Sequence, residues 1–90
     1  MKLKDLRLSQ SNFTTEIGDI TVVLNTDNGK YLELNNTASL IFKALEKQKD
    51  EEEIIEEICS IYSISRDELK DELKEFYRKA LKAGILEKEI

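Results

Sequence analysis

Apolar and polar residues alternate between Phe13 and Leu34, a region rich in Thr, Val, Ile, Tyr and Leu. Such alternation is typical of strands that bury one face. Within it, Ile20–Asn25 and Lys30–Leu34 flank Thr26–Gly29, where Asn and Gly supply the positive φ angles of a tight turn. The pattern therefore predicts a β-hairpin over these residues.

An earlier strand is predicted at Phe13–Ile17, with a turn at Gly18 and Asp19 that leads into the hairpin. We thus expect a small three-stranded antiparallel sheet in the strand half of the chain, residues 1–34. Three leucines near the start either extend the first strand or pack beneath the sheet, namely Leu3, Leu6 and Leu8.

The pattern changes after Leu34, where Asn35 or Asn36 is placed to cap a helix. Apolar residues then surround nearly the whole circumference of this first helix, which indicates a central and buried position. These residues are Ala38, Leu40, Ile41, Phe42, Ala44 and Leu45.

A polar break from Gln48 to Asp50 precedes a second helix that opens with three glutamates, whose charge complements the helix dipole. We expect this helix to bury an apolar stripe and to carry Cys59 at its margin as a small hydrophobic residue. The predicted stripe consists of Ile54, Ile55, Ile58, Ile61 and Tyr62.

A third helix is predicted from Ser65, which is spaced to form a capping box with Glu68, to about Ala83. Gly84 suits the left-handed position that ends such a helix. Beyond it, the apolar pair at 85–86 is expected to fold back onto the core, and residues 87–90 are expected to fray. The helical half, residues 36–86, thus completes one α+β domain over residues 1–90.

An apolar flank lies beside the predicted core face of the third helix, and Lys70, Lys74 and Arg78 follow it at four-residue spacing. One explanation is a wide core stripe with charged side chains at its margin. The other is a groove between this helix and an unpaired sheet edge that accepts an extended peptide. The core face consists of Leu69, Leu73, Phe76 and Ala80, and the flank adds Tyr77 and Leu81.

Composition narrows the function classes. The chain has 90 residues, of which 40% are hydrophobic, so it supports one core of modest depth. Its net charge of −5 disfavours non-specific binding to nucleic acid. It contains no histidine and one cysteine, Cys59, so neither an internal disulfide nor zinc ligation nor histidine-based catalysis is expected. We predict no catalytic residue, no metal and no cofactor.

Residues 1–8 lack the continuous apolar stretch of a signal peptide. No run of roughly 18 uncharged apolar residues occurs anywhere in the chain. We therefore expect a cytoplasmic protein that does not associate with membranes.

The segment from Val22 to Phe42 contains Leu34-Asn-Asn-Thr-Ala38 directly after the hairpin, and it resembles the PqqD-like proteins, also called RiPP recognition elements. The acidic second helix and the closing Ala83-Gly-Ile-Leu86 extend the resemblance through most of the chain. The resemblance implies a winged helix-turn-helix-like domain, in which a small three-stranded antiparallel sheet is followed by three helices.

The resemblance also implies a function. Such domains are non-catalytic adaptors that bind the leader segment of a ribosomally synthesised precursor peptide and present it to a modifying enzyme. The leader is expected to add as a strand to the sheet edge and to pack on the third helix. The matching peptide-binding positions are Lys30, Tyr31, Leu32, Glu33, Leu34, Lys70, Lys74, Tyr77, Arg78 and Leu81.

Several alternatives stay open at this stage. Both a radical S-adenosylmethionine protein and a lasso-peptide protease fit the place of the partner enzyme, and an open sheet edge also allows a homodimer. The acidic second helix either meets that enzyme or only adds solubility. A winged-helix DNA-binding domain and a general protein–protein interaction module are the alternative functions. Against DNA binding, the third helix alternates acidic and basic residues, whereas phosphate neutralisation needs a clustered positive surface.

Overall fold

The computed structural model describes residues 5–88 and has five strands and three helices within that range. Three of the strands form an antiparallel sheet that precedes the helices, so the predicted α+β fold is confirmed. The elements are β1 (Leu6–Leu8), β2 (Asn12–Ile17), β3 (Ile20–Asn25), β4 (Tyr31–Leu34), α1 (Asn36–Glu46), α2 (Glu51–Ile61), α3 (Arg66–Lys82) and β5 (Leu86–Lys88).

In the larger sheet, β3 lies between β2 and β4 and pairs antiparallel with both. Thr21 lies opposite Leu34 and Val23 lies opposite Leu32, which places these side chains on the same face. Val23 and Leu34 are buried there against the helices. β2 and β4 are the two edges, and each has one row of backbone groups that this sheet leaves unpaired.

A second sheet, which the sequence did not predict, joins the two ends of the described chain. β1 pairs antiparallel with β5, with Leu6 opposite Lys88 and Leu8 opposite Leu86. Glu87 and Lys88 are therefore strand residues, and the expectation that they fray is wrong. Leu6 neither extends β2 nor simply packs beneath the sheet, because its backbone is part of this pairing; Leu3 lies outside the described residues.

Side chains cap the start of each helix. Asn35 accepts a hydrogen bond from the Ala38 N–H to begin α1. Asp50 begins α2 with a complete capping box, which the sequence did not predict at this position. The Ser65 hydroxyl accepts a hydrogen bond from the Glu68 backbone N–H at the start of α3. The same hydroxyl donates to the Glu68 carboxylate, which does not accept from the Ser65 backbone N–H, so this capping box is incomplete.

One contiguous core fills the space between the sheets and the helices, with contributions from all three helices. The predicted stripe of α2 is correct through Ile58, while Ile61 and Tyr62 are 57% and 39% exposed. The stripe ends early because the helix stops at Ile61 and Tyr62 adopts extended backbone angles. Cys59 packs at the margin of the core, as expected.

Three asparagine side chains of the strand half hold the C-terminal end of α3. Their amide groups donate hydrogen bonds to three consecutive carbonyl oxygens that follow the helix, and we call this set the asparagine clamp. The bonds run from Asn28 to Ala83 (3.2 Å), from Asn25 to Gly84 (2.7 Å) and from Asn12 to Ile85 (3.0 Å).

Gly84 is essential to this clamp for two reasons. Its φ of 75° lies in the left-handed region, where it completes the helix end through the bond from the Ile85 N–H to the Ala80 carbonyl oxygen. A Cβ at this position would also lie 2.6 Å from the amide nitrogen of Asn28 and 3.0 Å from that of Asn25. Any side chain would therefore push the clamp apart.

Gly84→Ala should destabilise the fold more than Gly18→Ala does. Gly18 has a similar φ of 62° but open space around its Cβ position, so its substitution carries only the conformational strain, about 1–2 kcal/mol. Displacement of the buried Asn25 amide, together with that of the exposed Asn28, should add about 1–3 kcal/mol at Gly84. Urea unfolding of both variants measures the difference. Equal losses would show that the clamp relaxes without cost.

Candidate peptide-binding groove

A groove of about 140 Å³ runs between the free edge of β4 and the neighbouring face of α3. The sheet supplies one wall, α3 supplies the other, and the start of α1 closes the bottom. The lining residues are Leu32, Glu33, Leu34, Asn35, Ala38, Ile41, Glu72, Glu75, Phe76 and Lys79. We call this feature the β4–α3 groove.

The floor of the β4–α3 groove is apolar and its α3 rim is charged. Leu34, Ile41 and Phe76 are buried side chains of the core that reach the floor, while Ala38 is partly exposed there. The rim is formed by charged residues of α3 that are exposed to solvent. An extended peptide in this groove could therefore pair its backbone with β4 and place an apolar side chain on the floor.

β4 reaches this position because its side chains alternate. Leu32 and Leu34 point toward the helices, whereas Tyr31 and Glu33 are exposed on the opposite face. Lys30 comes just before the strand, and its ammonium group lies 3.4 Å from the Lys82 carbonyl oxygen at the end of α3. Of the predicted strand positions 30–34, Leu32, Glu33 and Leu34 line the groove, whereas Lys30 and Tyr31 do not.

The predicted α3 positions lie elsewhere. At about 100° per residue, Lys70 and Lys74 are separated from Glu72 and Lys79 by roughly half a turn around the helix. Both lysines are exposed, and neither lines the groove. The structure therefore does not bring the two halves of the predicted site together. Arg78 approaches the rim only through Glu75, to which its Nε donates at 3.1 Å.

Tyr77 belongs to the core, as does much of Leu81. The Tyr77 side chain is only 3% exposed and packs edge-on against Phe76, with ring centroids 6.3 Å apart. Leu81 is partly buried against the same core. Of the two explanations for this flank, a wide core stripe is the one that agrees with these positions. The predicted peptide-binding position Tyr77 is thus buried between α3 and the rest of the core, which includes α2, and its side chain is not exposed to a ligand.

Burial also affects the chemistry of Tyr77. Its hydroxyl has no hydrogen-bond partner among the described residues. Desolvation, with a smaller contribution from the nearby Glu51 carboxylate, raises the pKa of this phenol well above its usual range. Tyr77 is therefore neutral at any ordinary pH, and it contributes through its ring rather than through its hydroxyl.

The rim charges are unequally neutralised. Glu75 accepts from Arg78 and lies 3.8 Å from the Lys79 ammonium group. The hydrogen bond from Arg78, aided by the charges of Arg78 and Lys79, lowers the pKa of the Glu75 carboxyl. Glu72 has no ion-pair partner within residues 5–88. Glu72 is thus the acidic group of the rim that is available to a ligand.

Sequence reasoning missed the groove residues of α3 because the helix has two flanks beside its core face. One flank carries Tyr77 and Leu81, and the other carries Glu72, Glu75 and Lys79. The apolar character of the first flank predicts a binding surface, yet in the structure it reflects burial. The charges that adjoin the buried Phe76 mark the flank that lines the groove, but the sequence does not reveal which flank faces β4.

Two other kinds of site receive no support from the described part of the chain. Residues 5–88 contain no group of three or more His, Cys, Asp or Glu side chains placed to hold a metal ion. Over the same range, every helix is too short or too polar to cross a membrane.

Comparison with known proteins identifies the family of the chain. The sequence model of the coenzyme PQQ synthesis protein D (PqqD) family matches residues 21–86, which is most of the chain. The chain belongs to the PqqD family. This agrees with the resemblance noted in the sequence and with the observed order of elements. No curated protein sequence matches the chain significantly.

Two solved structures are similar to this PqqD-family chain. One is TbiB1 in complex with the TbiA(beta) leader peptide, which is 32% identical and has a TM-score of 0.81. The match covers 90% of this chain and 94% of that chain. The other is lasso peptide synthetase B1 complexed with the leader peptide, with 20% identity, a TM-score of 0.81, and coverage of 92% and 98% of the two chains. The second supports the fold alone.

Tyr77→Phe should leave the free energy of unfolding unchanged or raise it by up to about 1 kcal/mol, because it removes a buried hydroxyl that has no partner. Tyr77→Ala should lower it by about 3–5 kcal/mol through loss of a core aromatic ring. Urea unfolding followed by circular dichroism distinguishes these effects. A loss of more than about 2 kcal/mol in Tyr77→Phe would instead reveal a hydrogen bond to the hydroxyl.

Proposed function

We propose that this PqqD-family chain is a non-catalytic adaptor that binds the leader segment of a ribosomally synthesised precursor peptide and presents it to a modifying enzyme. The observation that carries the proposal is the free edge of β4, which faces α3 across an apolar groove. It is supported by the 32% identity to TbiB1, a protein solved with a leader peptide bound.

The edge of β4 suits strand addition. Its unpaired N–H and C=O groups give a partner strand main-chain hydrogen bonds, while side chains on alternate residues determine selectivity. The edge strand β2 lacks a comparable apolar floor, because its inward-facing side chains Thr14 and Glu16 are exposed. A depression that includes Glu16 of β2 is lined mainly by polar groups such as Asp19, Asn36 and Lys43. We therefore assign the leader to β4 rather than to β2.

The adaptor role requires no chemistry from the chain itself. The sequence contains no histidine, and Cys59 is packed at the margin of the core. We propose a partner enzyme that performs the modification, either a radical S-adenosylmethionine protein or a lasso-peptide protease, and a cytoplasmic site of action.

An acidic chain with mixed charges along α3 is poorly suited to duplex DNA. A homodimer through the sheet edges would compete with the leader for β4.

Leader binding should slow backbone amide exchange at Tyr31–Leu34, because strand addition supplies these groups with new hydrogen bonds. The test uses hydrogen–deuterium exchange with a synthetic leader from the precursor gene nearest to the gene of this chain. The edge strand β2, Asn12–Ile17, provides an internal control that should not change. Protection at β2 alone, or no binding of any leader from that locus, would contradict the proposal.

Ala38→Arg should block the groove and reduce the affinity for the leader by about 1–3 kcal/mol, because a long side chain at this position occupies the space above the floor. Ser39→Arg is the matched control, since it has the neighbouring position on α1 but lines a different depression. Fluorescence anisotropy with a labelled leader measures both affinities. Equal affinities for the two variants would place the leader outside the β4–α3 groove.

A further inference from the structure

The β4–α3 groove has two chemically different ends. The bond from the Lys30 ammonium group to the Lys82 carbonyl oxygen, together with that from Asn28 to Ala83, places the start of β4 beside the C-terminal end of α3. β4 therefore runs along the groove toward the N-terminal half of α3. Any strand that pairs with β4 must follow the same axis.

The charges of the rim follow this axis. Lys30, Lys79 and Lys82 lie at the end where β4 begins, and all three are exposed. Glu72 lies one helical step beyond Phe76 toward the other end, and Glu68 follows it by four residues on the same face of α3. Between the two ends, Glu75 is held by Arg78 and Lys79. The α3 rim of the groove is thus basic at one end, neutralised in the middle and acidic at the other.

We propose that this charge gradient selects the leader, so that the bound segment carries an acidic side chain at the Lys79 end, a basic side chain at Glu72 and an apolar residue between them. This inference rests on the proposed leader-binding function and adds the chemistry of the segment that is bound. The apolar residue packs on the floor formed by Leu34, Ala38 and Phe76.

The distance between Glu72 and Lys79 on α3 determines how far apart the two charged residues of the bound segment must be. Glu72 and Lys79 are seven residues apart on α3, which corresponds to about 10 Å along the helix axis. In an added strand, side chains four residues apart point to the same side and span about 13 Å, and the residue midway points the same way. The long, flexible side chains of the acidic and basic residues make up the difference between these two lengths. The motif is therefore two opposite charges four residues apart, with the apolar residue midway.

The order of the two charges depends on strand direction. A leader antiparallel to β4 enters at the Glu72 end, so its basic residue comes first, whereas a parallel leader has its acidic residue first. Both orders match the same gradient. A charge-swapped groove, Glu72→Lys combined with Lys79→Glu, should reverse whichever order the parent prefers while leaving the net charge unchanged.

The experiment is a display selection on the leader from the nearest precursor gene, in which pairs of positions four residues apart are randomised. The parent chain should enrich opposite charges in one order, and the charge-swapped variant should enrich the reverse order. Selected peptides should differ in affinity by about three- to tenfold between the two proteins at low salt, the range of two exposed ion pairs. The ratio should approach one as salt rises, because exposed charges are screened.

A control variant separates the groove from general electrostatics. Asp67→Lys combined with Lys74→Glu makes the same kind of exchange over the same seven-residue spacing, but on the solvent-facing side of α3. It should enrich the same peptides as the parent. Circular dichroism and urea unfolding confirm that both double variants are folded before selection.

The outcomes distinguish this inference from the function on which it rests. If the parent chain retains the unmodified leader but shows no charge preference, or if parent and charge-swapped chains enrich the same peptides, selection by the charge gradient is overturned while leader binding stands. If the unmodified leader itself is not retained, the proposed function fails. A reversal in the control variant as well would also overturn the groove as the source of selection.

Discussion

Three amide-to-carbonyl hydrogen bonds, those of the asparagine clamp, connect the strand half of the protein to the end of its longest helix. Asn25 is the central member, because it is buried and its side-chain oxygen Oδ1 also accepts from the backbone N–H groups of Asp27 and Asn28. The same side chain thus shapes the loop before β4 and holds α3 against it. The separation of β4 from α3, and hence the width of the groove, depends on this contact.

An open sheet edge is normally a hazard, since it can pair with any other strand. Here the open edge of β4 is only four residues long and has exposed Glu33 within it, features that limit unspecific pairing. The apolar floor lies to one side of the edge, so a partner strand gains full contact only if it also fits beside α3. Under the proposed mode of leader binding, main-chain pairing would contribute affinity for many peptides, while the floor and the charged rim would restrict which of them bind well.

Local signals predicted much of this fold. The alternation in the strand half, the polar residues that begin each helix and Gly84 all report on neighbours within a few residues, and the elements they predicted are present in the structure. Two details differ, because β2 leaves nearly all of its side chains exposed and the capping box at Ser65 is incomplete. The pairing of β1 with β5 could not be found this way, because Leu6 and Lys88 are distant in sequence and each strand has only three residues. Tyr77 was misplaced for a related reason. Periodicity identifies the faces of a helix, but only packing against α2 and β4 decides which flank is covered and which forms a groove.

The small sheet of β1 and β5 has a consequence for how such a domain is joined to other proteins. Leu6 and Lys88 are paired neighbours, so their Cα atoms lie about 5 Å apart. A polypeptide fused before the first strand and one fused after the last would therefore leave the domain from almost the same point. A protein attached at either end would thus be tethered at nearly the same place relative to the domain.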